Sequence, residues 1–254
     1  MEPVHPVAAA GFAAAADVYE RARPSYPQQA IAWLADRLGL RPGRTVVDVG
    51  AGTGKLTRLL VPTGARVIAV EPVPEMLAKL VETVPGVEPM AGTAEALPLP
   101  DAGADAITVA QAMHWFDQTR ALPELRRVLR DDGVLALVWN TRDLEDPLHR
   151  RLERLLAEAR STVPVQLEQA WRAPLEESPL FGPLEERRFR FEQQFTADDL
   201  CDRVSSTSFV AAMEPEARTH LLTAVRELVR DVPEPFPFRY VTEVYVADAR
   251  SRSV

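Results

Sequence analysis

Cysteine, lysine and aromatic side chains are scarce in this 254-residue chain. The single cysteine, Cys201, allows no intrachain disulfide, so an oxidising compartment is not implied. Its expected place is as a small packed residue on a helix. Lysine occurs only at Lys55 and Lys79, so arginine carries nearly all the positive charge. No stretch offers about 18 uninterrupted apolar residues, as a membrane-spanning helix would need. The opening MEPVHPVAAAGFAAAADVYERARPSYP is alanine-rich, yet it lacks the basic start of a signal peptide and proline interrupts it early. A cytoplasmic protein with no membrane partner is the expectation. The four histidines and one cysteine form no cluster with metal-ligand spacing, so no metal is expected. Acidic residues outnumber basic ones by 37 to 29, for a net charge of −8. That balance argues against a nucleic-acid-binding surface and leaves room for a local basic cleft.

What is present reads as a folded α/β protein. Apolar residues make up 46% of the chain and charged residues 26%. Four short, β-branched, almost wholly apolar runs occur at TVVDVG (45–50), RVIAVE (66–71), DAITVA (105–110) and VLALVW (134–139). Such runs suit strands covered on both faces of a parallel sheet. Helical stripes lie between them: Leu77, Leu80, Val81 and Val84, then Leu122, Leu125, Val128 and Leu129. This alternation predicts a doubly wound fold. From Thr141 the pattern changes. Asp146 is placed to cap a helix that begins at Pro147, with Leu148, Leu152, Leu155 and Leu156 on one face. Prolines at 164, 174, 179 and 183 break the next stretch, so 141–184 reads as a helical cap inserted near the substrate. RRFRFEQQF and RYVTEVYVA read as strands, and helices are expected from Thr196 and over about 215–229. One domain over 1–254 is the simplest organisation.

The stretch VVDVGAGTGKLTRLL carries the most information. A strand runs into Gly50, Gly52 and Gly54, and then into a helix. Glycines let backbone approach a ligand, and a helix start offers free N–H groups. A phosphate-binding P-loop fails on spacing, because Gly50 stands one step too near Gly54 and Leu56 follows Lys55. The dinucleotide pattern G-x-G-x-x-G fits poorly, its third glycine falling one residue early. G-x-G-x-G fits without adjustment. The next strand ends in Glu71, 21 residues after Gly50. A carboxylate there can accept hydrogen bonds from both hydroxyls of an adenosine ribose. That ribose belongs to NAD and to S-adenosylmethionine (SAM) alike, so both nucleosides stay open on these residues alone.

Taken together, VVDVGAGTG, VIAVEPVPEML, GTAEALPLPDAGADAITVAQAMHWFD and LRRVLRDDGVLALVWN resemble the class I SAM-dependent methyltransferases over most of residues 12–246. FAAAADVYERARPSYP and the HWF triplet resemble the small-molecule branch that includes trans-aconitate methyltransferase-like proteins. The resemblance implies a mostly parallel, seven-stranded Rossmann-like sheet with an antiparallel last strand. It implies SAM as cofactor and S-adenosylhomocysteine as product. By resemblance, Gly50, Ala51 and Gly52 lie under the methionine part of the cofactor. Glu71 holds the ribose, Pro72 and Met76 flank the adenine, and Ala94 and Glu95 meet its edge. Gln111 and Ala112 lie near the sulfonium. Asp48 orients the loop or reaches the ligand's ammonium. Residues 1–30 fold over the cofactor, with Tyr19 toward its carboxylate, Arg23 toward that carboxylate or an acidic substrate, and Tyr26 either there or in packing.

Methyl transfer needs alignment above all, and a base only where the acceptor must lose a proton. His114 follows strand four closely and is the candidate base; its other reading is a hydrogen-bonded residue that holds the loop. Trp115 and Phe116 are the expected walls of the acceptor pocket. His149 lies on the inserted helix, where it could face substrate; the arginines at 142, 150, 151 and 172 on the inserted segment either bind an acidic substrate or form solvated surface. The acceptor is expected to be a small molecule methylated on O or N, carboxylate included. A SAM-binding sensor without catalysis and a NAD-dependent oxidoreductase are the alternatives. A base-methylating enzyme is disfavoured, because QAMHWF stands where [DN]-P-P-[FY] would be expected. Oligomeric state is open.

Overall fold

A computed structural model describes residues 23–160 and 171–251. The expectations for Tyr19 and for most of the 1–30 segment fall outside the described residues. Seven strands form one sheet: β1 (Thr45–Val49), β2 (Arg66–Glu71), β3 (Glu88–Ala91), β4 (Ala104–Ala110), β5 (Leu129–Arg142), β6 (Glu185–Phe195) and β7 (Phe236–Asp248). Their order is β3-β2-β1-β4-β5-β7-β6. Strands β1 to β5 pair in parallel, and β7 runs antiparallel to both β5 and β6. This is the expected Rossmann-like sheet. The edge strand β3, EPMA, gave no sequence signal because it is four residues long and contains Pro89, which only an edge tolerates.

Helices cover both faces. On one side, α1 (Gln28–Arg37) and α2 (Thr57–Leu60) bury Leu34, Leu56 and Leu60 against Val46, Val67 and Val244. On the other, α4 (Gln118–Val128) buries Leu122, Leu125 and Val128 against Val47, Ile107 and Leu135. Between them in sequence, α3 (Pro74–Thr83) turns Met76 and Leu80 inward. Its expected stripe is rotated: Val81 is 53% exposed and Met76 takes the inner position.

A third core lies beyond the sheet. Helix α5 (Pro147–Arg160), α7 (Ala197–Ser205), α8 (Ser208–Ala211) and α9 (Pro215–Leu228) belong to this region. Leu152, Leu156, Leu200, Val204, Leu221 and Val225 pack there on Phe195, Phe236 and Phe238. The segment 141–184 is therefore divided between two cores. Its α5 joins the cap, whereas Trp171, Leu175 on α6 (Arg172–Glu176) and Phe181 join the sheet core. Much of the cap comes from the chain between β6 and β7, which the sequence placed as ordinary helices of the main domain. Strand β7 spans both bodies, with Phe238 and Tyr240 in the cap core and Val244 and Val246 in the sheet. Among the described residues, no helix is long and apolar enough to cross a membrane.

The cap helices have sequence-encoded starts. Asp146 Oδ1 accepts the Leu148 N–H at 2.8 Å. Thr196 and Asp199 form a reciprocal capping box: Thr196 Oγ1 accepts the Asp199 N–H at 3.2 Å, and Asp199 Oδ2 accepts the Thr196 N–H at 2.8 Å. Thr196→Ala should lower stability by about 1 kcal/mol, measured as a lowered denaturant midpoint with an unchanged slope.

Candidate active site

A cleft partly open to solvent lies above the C-terminal ends of β1 and β4. Strand order reverses at this point, since β2 lies to one side of β1 and β4 to the other. Ligands of open α/β sheets bind at such a switch point. Gly50, Ala51, Gly52 and Gln111 all face the cleft, and so does Arg23 from the segment before α1.

The glycines have different tasks. Gly50, at φ +68°, lies where a Cβ would come within 2.8 Å of Ala112 Cβ. Gly54, at φ +83°, would place one 2.7 Å from Val84. Both positions are closed by packing. Gly52, at φ +58°, has nothing within 4 Å of that point, so its bare backbone faces the open cleft. Gly50 N–H and Ala51 N–H donate to the Val70 carbonyl at 2.8 and 3.2 Å, which anchors the turn to β2.

Two carboxylates hold the turn. Asp48 is 1% exposed; it accepts from Thr57 Oγ1 at 2.6 Å and from Thr108 Oγ1 at 2.8 Å. It thus ties β1 to α2 and β4, which is the loop-orienting arrangement, and it does not line the cleft. Glu71 accepts the Gly52 N–H at 2.8 Å through one oxygen and the Val73 N–H at 3.0 Å through the other. Each oxygen keeps capacity for a further donor; the carboxylate is buried beside Gly52 and is not itself among the residues lining the cleft. Burial pushes both acids up to about 6, against the hydrogen bonds that favour the ionised forms.

The loop after β4 closes the other side. Gln111 has a φ of +57°, a conformation that costs a non-glycine residue on the order of 1–3 kcal/mol. It is held there by its N–H on the Val138 carbonyl at 2.9 Å and its Nε2 on the Asn140 carbonyl at 3.3 Å. Ala112 and Phe116 pack against Gly50. Glu95 accepts the Asp117 N–H at 2.9 Å and so braces this loop from the segment carrying Ala94, which is buried in the sheet core. Pro72 and Met76 begin the loop and helix after β2, Met76 being buried; neither lines the cleft.

His114 stands on a 3₁₀ turn, Met113–Trp115, between two aromatic rings. Its centroid is 4.6 Å from that of Trp115 and 5.3 Å from that of Trp139. Nδ1 is buried without a hydrogen-bond partner among the described residues. Burial, with a contribution from the Arg23 charge, lowers the imidazole to about 4. Trp139 stacks on Trp171 at 5.8 Å, and Trp171 meets Tyr245 edge-on at 5.1 Å. His114 and Trp115 therefore belong to an aromatic cluster, and neither they nor Phe116 are among the residues lining the cleft. His149 does not face substrate: it is fully buried in the cap, packed on Phe238, and its Nε2 accepts the Arg239 N–H at 3.2 Å.

Several cleft residues had no sequence signal. Asn140 ends the apolar run of β5. It donates to the Ser25 carbonyl at 3.1 Å and accepts from Thr242 Oγ1 at 2.6 Å, joining three segments. Tyr26, by contrast, is expected from the sequence at the cofactor or in packing; it lines the cleft and is also packed into the α1 core. Arg203 reaches the cleft from α7. The four arginines expected on 141–184 do not. Arg142 pairs with Glu153, Arg172 pairs with Glu176 at 2.8 Å, Arg150 bonds backbone carbonyls and Arg151 is exposed.

The comparisons with known proteins agree with this arrangement. A family model described as a methyltransferase domain matches residues 47–137, from the glycine turn through β5. An uncharacterized methyltransferase of Mycobacterium tuberculosis is 42% identical over 222 residues, covering 87% of this chain and 86% of its own. The trans-aconitate 2-methyltransferase of an Azoarcus species is 37% identical over 142 residues, 52% of this chain and 55% of its own. A solved structure from Anaeromyxobacter dehalogenans, described as a candidate type II methyltransferase, superimposes with a TM-score of 0.70 at 26% identity, over 90% of this chain and 97% of that one. With the glycine turn, the acid at the end of β2 and the strand order all in place, the chain belongs to the class I SAM-dependent methyltransferases.

Proposed function

We propose that this protein transfers a methyl group from SAM to an oxygen or nitrogen, carboxylate oxygen included, of a small molecule bound under the cap. The observation that carries the reading is Glu71, fixed against Gly52 at 2.8 Å beside a bare backbone at the switch point. Open glycine backbone together with a carboxylate that retains acceptor capacity fits a nucleoside with two ribose hydroxyls. Arg23 faces the same cleft and suits the carboxylate of the cofactor's amino-acid part. When bound, SAM supplies a methyl group activated on a sulfonium, and the protein's work is alignment.

Each site residue then has a physical task. Glu71 accepts the ribose hydroxyls. Gly50 and Gly52 keep the floor free of side chains, and Ala51 adds only a methyl group. Gln111 and Ala112 border the reacting end, where the constrained φ of Gln111 fixes the backbone in advance. Phe116, together with Trp115 and Trp139 behind it, excludes water from the acceptor's side. His114 is neutral at pH 7, and its lowered basicity makes it a weak proton acceptor. It fits a wall residue better than an obligatory base, in accord with an acceptor that arrives already deprotonated.

Two measurements check this reading. Calorimetry on the full chain should show SAM and S-adenosylhomocysteine binding, with NAD much weaker; preferential binding of NAD would sink it. S-adenosylhomocysteine affinity should be flat from pH 7 to 8 and fall as pH drops through about 6, because Glu71 must be ionised to accept both hydroxyls. Glu71→Gln should weaken binding roughly ten-fold or more, as loss of hydrogen bonds to a charged acceptor predicts, and should remove that component of the pH dependence. For His114, NMR should place the imidazole midpoint near 4; a midpoint near 6.5 would restore it as a candidate base.

A further inference from the structure

The chain carries a net charge of −8, yet Arg23, Lys55 and Arg203 line the cleft and no acidic residue among the described residues does. Arg203 is the unusual member. It is only 8% exposed, and its Nε and Nη1 are buried without hydrogen-bond partners among the described residues. A guanidinium does not deprotonate to escape burial. An unpaired buried charge is costly, so buried cations are normally matched by an acid or a ligand. Neighbouring arginines obey that rule. Arg142 and Arg160 share Glu153, the acid on α5, and Arg239 pairs with Asp146 at 2.9 Å.

The surroundings of Arg203 add positive charge and a donor. Arg142, at the end of β5, lies close enough for the two cations to repel. Arg23 donates through Nη2 to the Ser206 carbonyl at 2.8 Å, which brings a second guanidinium to the end of α7. The Tyr240 hydroxyl on β7 lies beside the Arg203 guanidinium without meeting hydrogen-bond geometry. Burial raises this phenol above its ordinary value, so it keeps its proton to donate. Of these groups Arg23 and Arg203 line the cleft, whereas Arg142 and the fully buried Tyr240 stand behind Arg203. The glycine turn and Glu71 belong to the β1–β2 side of the cleft.

We propose that Arg203, assisted by the Tyr240 hydroxyl, anchors a carboxylate of the methyl acceptor, so that the acceptors are small organic acids. The planar fork of a guanidinium suits bidentate pairing with a carboxylate and would match the buried charge. The proposal rests on the methyltransferase reading above, because it takes the opposite wall as the cofactor's. The cofactor's amino-acid part also carries a carboxylate; the proposal leaves it to Arg23, which lines the same cleft, and the S-adenosylhomocysteine affinity of an Arg203 variant separates the two assignments.

Calorimetry on the full chain saturated with S-adenosylhomocysteine tests this, with glutarate and phenylacetate as probes and their amides as uncharged controls. At least one acid should bind ten-fold or more tightly than its amide. Arg203→Gln should weaken that acid ten-fold or more, leave S-adenosylhomocysteine affinity within two-fold, and be partly rescued by Arg203→Lys. A ten-fold loss of S-adenosylhomocysteine affinity in Arg203→Gln would assign the cation to the cofactor and overturn the proposal. Equal binding of acids and amides, no acid binding to the wild type, or acid binding unchanged in the variant would overturn it as well. Should Arg203→Gln fail to fold, the acid-against-amide comparison on the wild type and the Arg203→Lys affinities decide. Failure of the wild type to bind S-adenosylhomocysteine would strike the cofactor reading instead; the acids titrated without it would still decide the role of Arg203.

Discussion

Everything at the cleft depends on how closely the loop after β1 can approach the loop after β4. Gly50 sits where any side chain would collide with Ala112, at 2.8 Å from its Cβ. Because those two loops touch, the next glycine, Gly52, is left with bare backbone facing open space. The same closeness seats Phe116 against the turn, a few residues beyond Gln111 in its left-handed conformation. A larger residue at position 50 would separate the loops and remove the shape that a ligand would meet. The constraint is one of volume and backbone angle, and the hydrogen bonds around it preserve what volume permits.

Buried charge is handled in two ways around this point. Asp48 and Glu71 are nearly sealed from water, and each is satisfied by donors from the turn and its neighbours. Their weakened acidities follow from burial that these donors only partly offset. Arg203 is sealed as well, but two of its nitrogens lack partners among the described residues. Satisfied acids on the β1–β2 wall stabilise the turn, whereas a partly unsatisfied cation on the cap wall is poised for an anion. That asymmetry separates the two sides of the cleft.

The cap and the sheet are mechanically joined by β7. Its early residues, Phe236, Phe238 and Tyr240, sit in the cap core, and its later ones continue into the sheet. Helix α7 and Tyr240 therefore keep a fixed relation to the ends of β4 and β5, although they arise far away in sequence. Asn140 strengthens the join through Ser25 and Thr242.

The sequence by itself determined the strands that carry the site and the turn between them. Apolar runs of β-branched residues, G-x-G-x-G spacing and Glu71 are local patterns, and their physics acts over a few residues. Helix starts at Asp146 and Thr196 were legible for the same reason. Tertiary structure alone decided the rest. A four-residue edge strand with a proline has too little periodicity to read, so β3 emerged only from its pairing with β2. His114 is a weak base because Trp115 and Trp139 enclose it, and Trp139 comes from another strand. The cap's boundary follows from which side chains share a core, so α5 packs with helices some fifty residues onward while Trp171 returns to the sheet. Nothing in the local pattern of the helix that Thr196 begins marks Arg203. Only the fold, by burying it beside Tyr240 and against the open cleft, made its charge a matter of function.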